Sequence, residues 1–231
     1  MIQLIKGVFN ALIFPQSIVR AKNPNLIMVL TILLKLFFFK ILVSIGLLLI
    51  LDLFETVENN SLQNIEESLG LPLSFLIIVL IGPLYEEVIF RLPLKYKPIY
   101  LSLSVFTVSY IFFSSIIFGS NFLELDFSLL YKLIFSFLLS ITVYIWLSNT
   151  TKISNFWAKN LRLVYICSIL IFGLSHTLNF ELNEGNYYLL PILISPHLIA
   201  AIILNYLRMK FGFIYCFLFH FSNNLFVFIL S

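Results

Sequence analysis

An all-α, polytopic transmembrane helix bundle is the expected architecture, and three observations lead to it. Hydrophobic residues make up 61% of the 231-residue chain and charged residues only 11%, roughly half the charged share of a soluble domain of this size. The apolar residues fall into runs of about 20, the length that crosses a hydrocarbon core as a helix. The charged residues collect between those runs, and their sign alternates from one connection to the next. Too little polar surface remains to coat a globule in water, so the expected solvent is largely lipid. A chain of this length accommodates a single membrane-embedded domain over 1–231, with no soluble catalytic domain beside it.

At the start of the chain, 1–22 has no basic stretch ahead of an apolar core and no small-residue cleavage site, so it is not expected to be a cleavable signal. Ile2, Ile5, Phe9 and Leu12 recur at helical spacing, with Lys6 and Asn10 elsewhere on the wheel. That pattern predicts an interfacial amphipathic helix. About seven spans follow, over 34–53, 72–91, 99–119, 127–147, 163–180, 188–207 and 211–230. The first apolar run begins near Leu26, so part of it is expected along the surface. Lys35 and Lys40 interrupt that run, and both are expected to snorkel to the near headgroups.

The connections set the orientation. Lys6, Arg20 and Lys22 precede the first span, and Asp52, Glu55, Glu58, Glu66 and Glu67 follow it. Lys95 and Lys97 come next, then Glu124 and Asp126, then Lys152, Lys159 and Arg162. Glu181 and Glu184 are followed by Arg208 and Lys210. Basic connections stay in the cytoplasm, which predicts an integral membrane protein with a cytoplasmic N-terminus; a bacterial cell membrane is the expected location. The basic residues are scattered, and none lies in an aromatic-interleaved patch, so the expected partner is the lipid bilayer and no nucleic acid. Cys167 and Cys216 lie inside apolar runs without a CxxC spacing and read as small core residues.

The membrane runs contain groups that lipid disfavours. Glu86 and Glu87 lie at the end of an apolar helix, and His176, His197 and His220 all lie within apolar runs. An ionised side chain near the bilayer centre costs on the order of 2.5–3.5 kcal/mol on insertion scales. Glu87 and Arg91 are i and i+4 and able to pair. Glu86 points about 100° away from Glu87. Gly82 and Pro83 stand just before it, where the proline is expected to kink the helix and admit water beside Glu86. His220 and Asn224 share the i, i+4 spacing on the last span, as do Phe172 and His176 on the fifth. Carboxylate, imidazole and carboxamide together supply a general base for water and donors for an oxyanion.

Each of these groups has a plainer reading. A Glu–Glu–Arg cluster also serves as a structural ion pair, and a single intramembrane histidine more often donates a packing hydrogen bond. His197, after Ser195 and Pro196, has no partner at helical spacing and reads as structural. Cys216 and His220 are i and i+4, which leaves a thiol protease as a minor alternative to a core cysteine.

Taken in order, EEVIFR at 86–91, FGLSH at 172–176 and HFSNN at 220–224 resemble EExxxR, FxxxH and HxxxN. These are the three motifs of the CAAX-protease and bacteriocin-processing family, also called Abi or CPBP, which includes prenyl-protein endopeptidases. The resemblance implies an intramembrane glutamate-type endopeptidase acting on a membrane-associated peptide or membrane-protein substrate, with the motif-bearing region at 72–231. It implies that Glu86 and His176 activate water, that His220 and Asn224 form the oxyanion hole, and that Glu87 and Arg91 support the site. It implies no cofactor. Zinc on Glu86, His176 and His220 is the metal-dependent variant of the same idea, a His₂Glu set with one open position. Between the first and second motifs, 92–175 is longer than the family pattern and carries two extra spans, an even number that preserves the orientation of the later helices. The alternative is a non-catalytic bacteriocin-immunity or regulatory protein that binds peptide in the same cavity. A proton-relay transporter is the third class, disfavoured because the two halves show no matching interrupted helices.

Overall fold

A computed structural model describes residues 1–22, 24–54, 65, 67, 69–119, 127–180, 182 and 185–230. The described chain is helical, without strands. In chain order the helices are α1 (Ile2–Ile13), α2 (Leu26–Leu51), α3 (Leu71–Phe75), α4 (Gly82–Phe90), α5 (Pro98–Phe112), α6 (Leu129–Ser148), α7 (Lys152–Lys159), α8 (Leu161–Ser175), α9 (Leu190–Lys210) and α10 (Phe213–Leu230). A wide π turn, Leu76–Ile81, joins α3 to α4, and a second, Phe113–Ile117, extends α5. Seven of the described stretches are long and apolar enough to cross a membrane. The chain is therefore an all-α polytopic membrane protein, as its composition implies. The acidic residues Glu55, Glu58, Glu66, Glu124, Asp126, Glu181 and Glu184, on which the expected charge alternation rests, lie outside the described residues.

The span boundaries agree with the apolar runs to within about three residues, with one exception. The first span is the whole of Leu26–Leu51, not 34–53 with a surface lead-in. The Asn25 side chain accepts the Ile27 N–H at 2.9 Å and starts the helix there. The correction moves Lys40. It now stands about 21 Å from one helix end and about 17 Å from the other, at 1.5 Å per residue. Lys40 thus stands near the middle of the helix rather than near the start of the span.

Two compact units make up the chain, residues 1–84 with 162–231 and residues 85–161. In the first, α9 is the most buried helix and packs against α1, α2 and α10. Polar glue fastens α8 to it. The Asn205 amide donates to the Tyr165 carbonyl at 3.1 Å, and the Ser168 hydroxyl donates to the Asn205 Oδ1 at 3.3 Å. The N-terminal helix expected over the first residues is present as α1. Val8 and Ala11 are buried, whereas Ile2 and Phe9 point outward. Small side chains let the α1 backbone approach α9, and the bulky ones are left to lipid.

In the second unit, α5 and α6 meet along serines. The Ser102 and Ser140 hydroxyls each donate to the other residue's carbonyl at 2.9 Å. Such small polar residues are what close helix packing in lipid favours, because apolar area gives no driving force there. The Ser104 hydroxyl donates to the Val88 carbonyl at 2.6 Å and ties α5 to α4. The short helix α7, absent from the sequence reading, is held by Trp157, whose indole N–H donates to the Pro93 carbonyl at 2.7 Å.

Candidate functional site

The groups that lipid disfavours are distributed over both units, and each unit is described by itself. In the first unit, Phe172, His176, His197 and His220 lie together. The Phe172 ring is buried, 4.6 Å from the His176 ring centroid and 5.9 Å from that of His220. One phenylalanine ring therefore neighbours the imidazoles of both the second and the third motif. His176 opens a 3₁₀ turn, His176–Asn179, at the end of α8. Its Nδ1 lies 2.8 Å from the Phe172 carbonyl. A carbonyl only accepts, so Nδ1 carries the hydrogen, and in the neutral ring the lone pair sits on Nε2.

His197, read from the sequence as structural, stacks on His176 with centroids 3.9 Å apart and ring planes 26° apart. Lys40 and His220 lie within electrostatic range of it. The approach of α9 to α8 depends on Gly173. A Cβ at that position would run into Leu198 Cδ2 and stand 2.8 Å from Leu198 Cγ. Leu198 is the neighbour of His197, so the glycine in FGLSH opens the notch that seats the second imidazole on the first. Gly173→Ala is expected to cost about 1–3 kcal/mol through overpacking and to separate the stack. Denaturant titration in mixed micelles and the ring-current shift of His176 check this; an unshifted His176 signal refutes it.

Asn224 has a second task besides the one its motif suggests. In the π turn the Gly82 N–H donates to the Ile77 carbonyl, five residues back. In that register the Ile78 carbonyl awaits the N–H of residue 83, which is Pro83 and has none. The Asn224 Nδ2 donates to that carbonyl at 3.0 Å, so α10 supplies the hydrogen bond that the proline withholds. Gly82 belongs to the same device, since a Cβ there would stand 3.1 Å from the Ile77 oxygen. Asn224→Leu is expected to destabilise by about 1 kcal/mol. The loss should shrink in a Pro83→Ala background, where residue 83 regains a donor. A double-mutant cycle measures the difference, and equal losses in both backgrounds refute the account.

The Cys216 thiol is buried and donates to the Phe213 carbonyl at 2.9 Å, as a core cysteine does.

In the second unit, α4 carries Glu86 and Glu87, and Arg91 follows its last residue. Glu87 and Arg91 are fully buried and form an ion pair at 3.6 Å, as the i, i+4 spacing predicts. The Arg91 guanidinium also lies over the Phe90 ring, 5.7 Å from its centroid. Glu86, one residue earlier, is half-buried on another face of the helix. Two adjacent carboxylates thus occupy different surroundings because helical geometry turns them apart. Among the described residues, no group of three or more His, Cys, Asp or Glu side chains is arranged to hold a metal ion.

The sequence reading missed Lys40 and His197 as neighbours of this cluster. An Asn cap before the apolar run was the available signal for Lys40, because it starts the helix eight residues earlier than 34 and so centres the lysine. Nothing in the spacing of His197 pointed to His176, which is on another helix. No family model, no curated protein and no solved structure matches this chain.

Proposed function

We propose that this membrane protein is an intramembrane endopeptidase of the glutamate type, cutting a membrane-associated peptide or a membrane-protein segment. The observation that carries the reading lies in the first unit, where Phe172 of the FxxxH-like motif is in ring contact with both its own His176 and His220 of the HxxxN-like motif. Residues paired only by order along the chain are neighbours there. Two further features support it. The His176 Nδ1–H bond to the Phe172 carbonyl leaves Nε2 as the basic nitrogen of a neutral ring. Asn224 spends one amide hydrogen on Ile78 and keeps a second for another acceptor.

In this reading Glu86 takes a proton from water with the help of His176, and the hydroxide adds to the scissile carbonyl carbon. His220 and Asn224 donate to the oxygen that becomes negative. Glu86 then returns the proton to the leaving nitrogen as the C–N bond breaks, so the peptide gains one water and no cofactor enters. Glu87 and Arg91 hold α4 in register. The zinc variant makes a separate prediction, namely that chelation stops turnover.

The test is cleavage of single-span reporter peptides by purified protein in nanodiscs, comparing wild type with Glu86→Gln. Turnover lost in the variant supports the reading; undiminished turnover ends it. Peptide binding without turnover by the wild type would instead support an immunity or regulatory role.

A further inference from the structure

A cleft of about 370 Å³ lies in the first unit where α1 meets the end of α9, lined by Gly7, Asn10, Ser17, Ile18, Val19, Tyr206 and Lys210. Its volume is in the range of small-molecule sites. The chain around it is of one sign. Residues 1–22 and 204–213 contain Lys6, Arg20, Lys22, Arg208 and Lys210 and no aspartate or glutamate. The fold gathers these stretches, because α1 packs on α9 and the Ala21 N–H donates to the Lys210 carbonyl at 2.9 Å. The Arg20 guanidinium reaches Gly212, just beyond the end of α9.

The cleft wall presents donors. The Lys210 Nζ donates one hydrogen to the Tyr206 hydroxyl at 2.6 Å. Its other two ammonium hydrogens meet no protein oxygen or nitrogen among the described residues, and the Nζ lies 5.1 Å from the Tyr206 ring centroid and 5.6 Å from that of Phe211. The Tyr206 hydroxyl keeps its own hydrogen, and the exposed Asn10 carboxamide has no protein partner among the described residues. The Ser17 hydroxyl is committed to the Phe14 carbonyl at 2.7 Å. At the mouth stands Val19, 83% exposed, next to Ile18. Complementing the dipole of α9 accounts for a cation in its last turn, and Arg208 already supplies one. Lys210 adds a second cation above the donor-lined cleft, beside the Tyr206 and Phe211 rings.

A transmembrane helix ends, and an interfacial amphipathic helix lies, at the depth of the lipid headgroups. An anion there with an apolar tail is a phospholipid. We propose that this cleft binds the phosphate of an anionic phospholipid headgroup, held by the Lys210 ammonium, the Tyr206 hydroxyl and the Asn10 amide, with Ile18 and Val19 against the glycerol and first methylenes. The proposal is independent of any peptidase activity. Basic pockets beside transmembrane helices on the cytoplasmic side recognise such headgroups through the same chemistry.

Native mass spectrometry of the purified protein, offered equal amounts of phosphatidylglycerol and phosphatidylcholine, tests it. The wild type is expected to retain phosphatidylglycerol preferentially, and Lys210→Gln to lower that preference about fivefold. Asn10→Leu, at an exposed position where folding is not at stake, should lower it as well, and Lys210→Arg should keep it. Equal retention of the two lipids by the wild type, or an unchanged preference in both Lys210→Gln and Asn10→Leu, would overturn the proposal. Inorganic phosphate that displaces phosphatidylglycerol at comparable concentration would assign the donors to free phosphate and overturn the lipid source.

Discussion

Glu86→Gln is expected to lower peptide turnover by a factor of about 100 to 10,000, the range that a positioned general base contributes. Glutamine keeps the size and the hydrogen-bonding outline of the side chain but cannot take a proton from water. Membrane insertion, abundance and resistance to denaturant are expected to stay at wild-type values, because Glu86 is half-buried and its ion-pairing neighbour is untouched. The rate in nanodiscs and a denaturant titration of the same preparation give both readouts. A variant that turns over normally removes the glutamate mechanism. A variant that fails to accumulate shows that Glu86 is structural, which is the opposite of what its place on α4 implies.

Arg91→Ala is expected to cost about 3–5 kcal/mol of stability, the penalty for removing one partner of a buried ion pair. Arg91 and Glu87 are both fully buried at 3.6 Å, and alanine removes the counter-ion from a carboxylate that water does not reach. Replacing both together, as Glu87→Gln with Arg91→Met, should cost less than the single change, since no charge is then left behind. Unfolding in mixed micelles measures the three variants. If Arg91→Ala lies within about 0.5 kcal/mol of wild type, the range of an ordinary surface change, the pair is not an anchor. Adjacent residues on one helix are thus expected to separate cleanly, Glu86 in activity and Glu87 with Arg91 in folding.

The spans were legible because the signal is a bulk property: each run must be apolar over its whole length, and no neighbour is needed to see it. The Glu87–Arg91 pair was legible for a related reason, since i, i+4 contact follows from helix geometry alone. The buried face of α1 was not. Periodicity marked Ile2 and Phe9 as one apolar face of the helix, and both are exposed; which residues turn inward, Val8 and Ala11, followed only from the packed chain. Hydrophobicity ranks residues against water, and here water is not the competitor.

Residue order thus accounts for which stretches cross the membrane, where polar groups interrupt them and which pairs share a helical face. The folded chain settled what depends on a second helix. Gly173 could be seen as a small residue, yet only the presence of Leu198 opposite makes it a notch, and only that notch stacks His197 on His176. Pro83 could be seen as a missing donor, but its Ile78 carbonyl found a partner 146 positions away in Asn224. Contacts within a helix repeat with its own period and are written in the sequence, whereas contacts between helices depend on crossing and depth, which no local period encodes.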